Sequence, residues 1–343
     1  MMRYCQYISI TLKVLSKVIK GRVLDVLYQS DDNYAMVSGI SIVSLLENNQ
    51  HLDKINIYYC DYKISEKNRN KLQTVINKYK NASLEFIDAR PYHDILKGLN
   101  VLPWHGVYVT WLKLLAFGDL KIETDRVLFI NGHTIINGTL DDLIDMDFDN
   151  NIMALSYDGL INNHKRTIGL RDNDGYYNCG IMLINHKKWL KNDISSFIKE
   201  RLAEKSDYII ADQDLCNVVF RGQIKVLNST YNFSSAFYAY DLKKFLKVNN
   251  LRPDYFYSYD ELMENYYSPK IIHSLFGIAG KPWEFGNMHP QRFLWNKYIK
   301  MTPWANSERP IAKHTFNWFL YNNLPSSVFM YLYAVMIKNK FGK

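Results

Sequence analysis

Leu24-Asp-Val-Leu-Tyr-Gln-Ser-Asp-Asp-Asn-Tyr34 is the stretch on which the fold turns. Leu24–Gln29 is an apolar run long enough for one strand, and the polar cluster Ser30-Asp31-Asp32-Asn33 closes it. Tyr34–Glu47 follows with apolar residues at helical spacing. A strand that stops on acids and amides and passes at once into a helix is half of a βαβ unit. Working outward, Lys54–Cys60 reads as a second strand, Ser65–Tyr79 as a helix with Ser65 as its N-cap, and Ser83–Asp88 as a third strand. Val107–Leu120 predicts a buried helix, Arg126–Ile130 a strand, Cys179–Asn185 another buried strand, and Ile210–Phe220 a helix. This alternation predicts an α/β fold with a mainly parallel central sheet flanked by helices. Residues 230 to 310 are rich in aromatics and broken by Pro253, Pro269, Pro282 and Pro303, which predicts a cap of helices and loops.

The charge is informative by its position. The 343-residue chain has a formal net charge of +8. Residues 1–22 carry Arg3, Lys13, Lys17, Lys20 and Arg22 with no acid, and residues 309–343 carry Arg309, Lys313, Lys338, Lys340 and Lys343 with no acid. The stretch between them is slightly acidic, which argues against nucleic acid as a partner. Basic ends among apolar residues suit an anionic membrane surface. In residues 1–22, Tyr4, Ile8, Leu12, Leu15 and Ile19 share a helical face, which fits a lipid surface or a helix docked on the core. Lys13 and Lys17 interrupt the apolar run that a signal peptide needs. Val328–Ile337 is too short to span a bilayer, and the aromatic residues around it fit an interfacial anchor or a packed helix. The expected organisation is a basic amphipathic segment 1–22, one domain over 23–305, and a basic aromatic helical segment 306–343 lying against a membrane. Four scattered cysteines, with no CxxC pair, point to a reducing compartment.

Ligands of parallel α/β sheets bind beyond the carboxyl ends of the strands. Five places there carry chemistry. Ser30, Asp31, Asp32, Asn33 and Tyr34 can bind a base and ribose, or Asp32 and Asn33 can cap the helix. Asn131-Gly132-His133 ends the strand Arg126–Ile130. Asn178-Cys179-Gly180 stands at the mouth of a strand, and Asp212-Gln213-Asp214 opens a helix, where acids also suit the dipole. His273, Gly277, Gly280 and Lys281 combine an imidazole, flexible backbone and a cation, a set suited to a diphosphate.

Taken in order, these segments resemble the family 8 glycosyltransferases, retaining enzymes with a GT-A fold (a Rossmann-like nucleotide-diphospho-sugar transferase fold). The resemblance rests on Ser30-Asp-Asp-Asn-Tyr-Ala35 before Ser44-Leu-Leu-Glu-Asn-Asn49, Tyr177-Asn-Cys-Gly-Ile-Met-Leu-Ile-Asn185, Ala211-Asp-Gln-Asp214, and Lys281-Pro-Trp283 after His273. It implies that Asp31, Asn33 and Tyr34 bind the uridine of a UDP-sugar. It implies that Asp158, Asn178 and Asp212 hold the donor sugar, that Gln213 lies at the anomeric carbon, and that Lys281 meets the β-phosphate. His273 is then a ligand of a divalent metal such as Mn²⁺.

The chain departs from that pattern where the family has Asp-x-Asp, because Asn131-Gly132-His133 stands there instead. Neutral Asn131 and His133 bind a hard cation poorly. His133 with His273 suits a softer metal, or His133 only hydrogen-bonds phosphate or backbone. A family arginine is also replaced by Trp111, with Lys113 an adjacent substitute. Two functions therefore stand. One is a retaining transferase that moves galactose or glucose from UDP-hexose to a glycan or lipid-linked acceptor. It would work in bacterial cell-surface polysaccharide or lipopolysaccharide synthesis, on the cytoplasmic face of the membrane. The other is a catalytically impaired member that scaffolds an active partner.

Overall fold

The computed structural model describes residues 21–159, 162–275, 278, 280–313 and 315–341. The segment expected as the N-terminal amphipathic helix lies, up to residue 20, outside the described residues. The central sheet has seven strands in the order β3-β2-β1-β4-β7-β6-β8. These are β1 (Val23–Asp31), β2 (Lys54–Tyr62), β3 (Ala82–Asp88), β4 (Arg126–Ile130), β6 (Met153–Tyr157), β7 (Tyr177–Asn185) and β8 (Ile224–Val226). A smaller sheet, β5-β10-β9, is built from Thr134–Ile136, Ile271–His273 and Phe233–Ser234.

The apolar alternation in β1 explains the layering. Leu24, Val26 and Tyr28 enter one buried cluster with helices Ala35–Asn48 and Glu66–Ile76. Leu27 enters the other, with helices Val109–Ala116, Ile194–Glu204 and Ala211–Val219. Helices therefore cover both faces, and a strand buried on both faces has little use for polar residues. Ser65 caps its helix as expected, accepting a hydrogen bond from Asn68 N. A third cluster, including Phe233, Phe237, Phe256 and Tyr257, forms the aromatic cap.

The expected elements appear with end shifts of at most four residues, and one correction matters. β7 runs antiparallel to both β4 and β6, whereas the other four pairings in the sheet are parallel. The reversal carries the start of β7 to the edge where β1, β4 and β6 end. Asn178 thus reaches the same rim as Asp31, Asn131 and Asp158. The expected helix Val107–Leu120 is shorter, Val109–Ala116, because Trp104 and Val107 pair across a tight turn that contains Gly106 at φ +83°.

The C-terminal helices Phe316–Asn323 and Ser326–Phe341 lean on the cap through Phe329 and Met330, which pack with Tyr240 and Tyr321. Phe316 (74% exposed), Phe319, Tyr331 (68%) and Val335 face outward. Among the described residues no helix is long and apolar enough to cross a membrane.

Candidate functional site

A cavity of about 700 Å³ opens at the rim where these strand ends gather. Its wall takes Ser30, Asp31, Asn33 and Tyr34 from the turn after β1, Asn131, Gly132 and His133 from the turn after β4, and Asn178 and Cys179 from β7. Asp212 and Gln213 come from the start of helix Ala211–Val219, His273 from the end of β10, and Lys281 from the loop beyond it. Two expected residues are not in this wall. Asp32 turns away to accept from Ser65 N (2.9 Å), Ser65 Oγ (2.8 Å) and Asn68 Nδ2 (2.7 Å), so its carboxylate ties β1 to the next helix. Asp158 meets the wall through hydrogen bonds from Asn178 and Gln213. Gly277 lies outside the described residues.

One side of the cavity is a closed hydrogen-bond network. Cys179 N donates to Gln213 Oε1 (3.1 Å), which fixes the amide so that Gln213 Nε2 donates to Asp158 Oδ2 (3.1 Å). Asn178 Nδ2 donates to the same Asp158 oxygen (2.9 Å) and to Gln213 Oε1 (3.1 Å). Burial pushes the Asp158 carboxyl up, and the two amides oppose that rise. Asp212 meets Lys113 Nζ at 2.6 Å, with both side chains almost wholly buried, and the ammonium also lies over the Phe129 ring. Burial raises the Asp212 carboxyl against the pull of that ammonium. Asp214 has a different task. It accepts from Tyr176 OH (2.7 Å) and Ile210 N (2.8 Å) and pairs with His164 Nε2 (2.8 Å), pinning the helix that presents Asp212 and Gln213.

The opposite side is aromatic. The register of β5 against β10 sets His273 opposite Thr134, next to His133. The His133 and His273 rings stack with centroids 4.6 Å apart and planes at 24°. Trp283 continues the column, parallel to His133 at 6.5 Å, and Tyr34 meets both rings edge-on. A Cβ at Gly180 would collide with the His273 ring, so glycine there admits the imidazole.

The hydrogen bonds fix the tautomer of His273. Gly180 N donates to Asn178 Oδ1 (2.9 Å), so the Asn232 atom facing that oxygen at 2.9 Å is Nδ2. Asn232 Oδ1 then faces His273 Nδ1 (2.8 Å), which carries the proton. Among the described residues, Nε2 is left buried without a hydrogen-bond partner, as is His133 Nδ1. Burial drives the His133 imidazole down to about 4 and that of His273 well below its usual value, so both are neutral at pH 7.

These residues do not fit the divalent ion that the family resemblance implies. Two imidazoles sharing an ion aim their in-plane lone pairs at one point, about 2 Å from each nitrogen. Stacked rings aim theirs side by side. Among the described residues no group of three His, Cys, Asp or Glu could hold a metal. Among the described residues, Asn131, His133 and His273 therefore bring no convergent set of donors to a divalent ion.

Sequence reading missed Asn232, which orients His273 from a distant segment, and Gln29, whose Oε1 accepts from Lys113 N (2.9 Å) and anchors that helix to β1. Gln29 carried a signal, as a polar residue ending an apolar strand. Asn232 carried none.

The comparisons agree with this architecture. The chain is 24% identical over 296 residues to general stress protein A of Bacillus subtilis, covering 85% of this chain and 98% of that protein. It is 25% identical over 315 residues to a lipopolysaccharide 1,2-glucosyltransferase of Escherichia coli, covering 87% and 85%. Among solved structures, the galactosyltransferase LgtC in complex with donor and acceptor sugar analogs superposes with a TM-score of 0.66 at 24% identity, over 82% of this chain and 96% of that one. The bifunctional glycosyltransferase WbbM superposes at 0.69 with 22% identity, over 83% of this chain and 50% of that one. These likenesses identify the fold as GT-A. The model of glycosyl transferase family 8 matches residues 25–286, and the chain belongs to that family.

Proposed function

We propose that the protein is a retaining glycosyltransferase that takes a hexose, galactose or glucose, from a UDP-sugar and passes it to a glycan or lipid-linked acceptor of the bacterial surface. One observation carries the reading. The acidic turn after β1, the Asp212–Gln213 helix start and the Lys281 loop, far apart in sequence, line one cavity. In this proposal Asp31, Asn33 and Tyr34 take the uridine, Asn178 and Asp212 take sugar hydroxyls, and Lys281 takes the β-phosphate. Gln213 is held by Cys179 N, Asn178 and Asp158, so its dipole stands ready before substrate arrives. With both Gln213 Oε1 lone pairs engaged, the negative charge that steadies an oxocarbenium-like transition state comes from Asp158, which accepts from Gln213 Nε2. Preorganised charge of this kind is usually the largest single contribution to such catalysis.

The domain reading remains part of the proposal: a transferase domain over 23–305, with 306–343 seated on the inner membrane face. The outward row Phe316, Phe319, Tyr331 and Val335 supports that seating, since aromatic and aliphatic side chains insert at the lipid interface. The competing reading, a member that binds donor without turning it over, has in its favour the missing metal carboxylates. Incubating the protein with UDP-glucose or UDP-galactose and following the released hexose by NMR separates the two. Slow release of the α-anomer is expected. Release of the β-anomer sinks the retaining mechanism, and binding without release favours the competing reading.

A further inference from the structure

The charges around the cavity do not add up to a metal site. Asp31 gives one carboxylate oxygen to Tyr34 N (3.1 Å) and the other to Asn33 Nδ2 (3.3 Å), and Asp212 is neutralised by Lys113. What stays available is Lys281. It forms no ion pair among the described residues, and its ammonium lies 5.8 Å from the Tyr34 ring centroid and 5.6 Å from that of Trp283. Gly280, at φ +84°, turns the chain immediately before it, and a Cβ there would press on Ala312 and Asn287. The lysine thus leaves the turn in a set direction, against a wall of aromatic rings. Aromatic faces attract a cation, and a wall of low polarity strengthens its field towards an incoming anion.

Resting on the reading of this cavity as a UDP-sugar site, we infer that the donor's diphosphate is held without a divalent cation, with Lys281, backed by Tyr34, His133 and Trp283, as its counter-charge. Stacked at 4.6 Å, the His133 and His273 rings do not aim their lone pairs at one common point. A diphosphate diester carries two negative charges, and a hard cation offered only one oriented imidazole gains little from staying beside it. Gly132 lets the main chain come close, since a Cβ there would strike Ser38 Oγ.

The test is calorimetric titration of UDP into the full chain, first in EDTA and then in 1 mM Mn²⁺ (about a thousandfold above a micromolar Kd), with uridine as a second probe followed by NMR. The inference expects UDP affinities within about threefold of each other in the two buffers. Lys281→Gln, at an exposed position, should weaken UDP at least tenfold in both buffers while leaving uridine unchanged. A tenfold or greater tightening of the native protein by Mn²⁺ overturns the inference and leaves the proposed function standing. So does Lys281→Gln binding UDP as the native protein does. If neither UDP nor uridine binds in either buffer, the proposed function fails, and the inference fails with it.

Discussion

The two sides of the cavity are built on opposite principles. Towards helix Ala211–Val219, the amides and carboxylates of Asp158, Asn178, Asp212 and Gln213 are tied to one another, to Lys113 and to the main chain. Towards β5 and β10, His133 and His273 are held by ring stacking, and each keeps a buried nitrogen that has no hydrogen-bond partner among the described residues. A satisfied network resists rearrangement, and its cost has been met by folding. A stacked pair of neutral rings tolerates a change of ligand, because nothing charged has to be re-paired. Under the proposed function, the first side is the one that meets the sugar and the second the one that meets the diphosphate.

The comparison breaks most easily at Lys113. Lys113→Met leaves Asp212 buried without its partner and should destabilise the fold by about 3–5 kcal/mol, read by urea unfolding. The double change Lys113→Met with Asp212→Leu should recover most of that loss but not donor binding. If the single change costs under about 1 kcal/mol, the network is not the rigid half of the site.

A smaller effect comes with pH. His133 in the stack and His289 in the aromatic cap are both held at about 4 by burial, below an unfolded value near 6.5. Their neutral forms contribute stability that is fully present above about pH 6.5 and is lost as pH falls through 4. At pH 5 each should cost about 2 kcal/mol relative to pH 7, seen as a falling urea midpoint. His133→Phe keeps the ring stack and should remove its share of the slope. A flat profile in the native protein would contradict the burial of both rings.

The smallest effect separates neighbours in the acidic turn. Asp32→Ala should cost about 1 kcal/mol of stability, as the loss of a helix-end hydrogen-bonding group does, while UDP affinity stays as it was. A large loss of affinity would return Asp32 to the site.

Much of this was legible beforehand. Strand β1 and its acidic turn stand out because a strand buried on both faces must be apolar and its exposed end need not be. The same logic marked Asn131, Asn178 and Asp212 as rim residues, and all three line the cavity. It gave Asp32 both a ligand and a capping reading, and only the Ser65 helix in place decides between them. Nor could it see Asn232, whose partners, the His273 ring and the Asn178 amide, lie 41 and 54 residues away.

By itself, then, the sequence determined the fold class, five of the ten strands found among the described residues and the set of polar turns, because periodicity and turn chemistry are local properties. Tertiary structure alone decided that β7 runs against its neighbours, that His133 lies flat on His273, and that Lys113 reaches Asp212. Each of those depends on which distant segments come to share a register, and side chains on separate elements meet only after the sheet has closed its core.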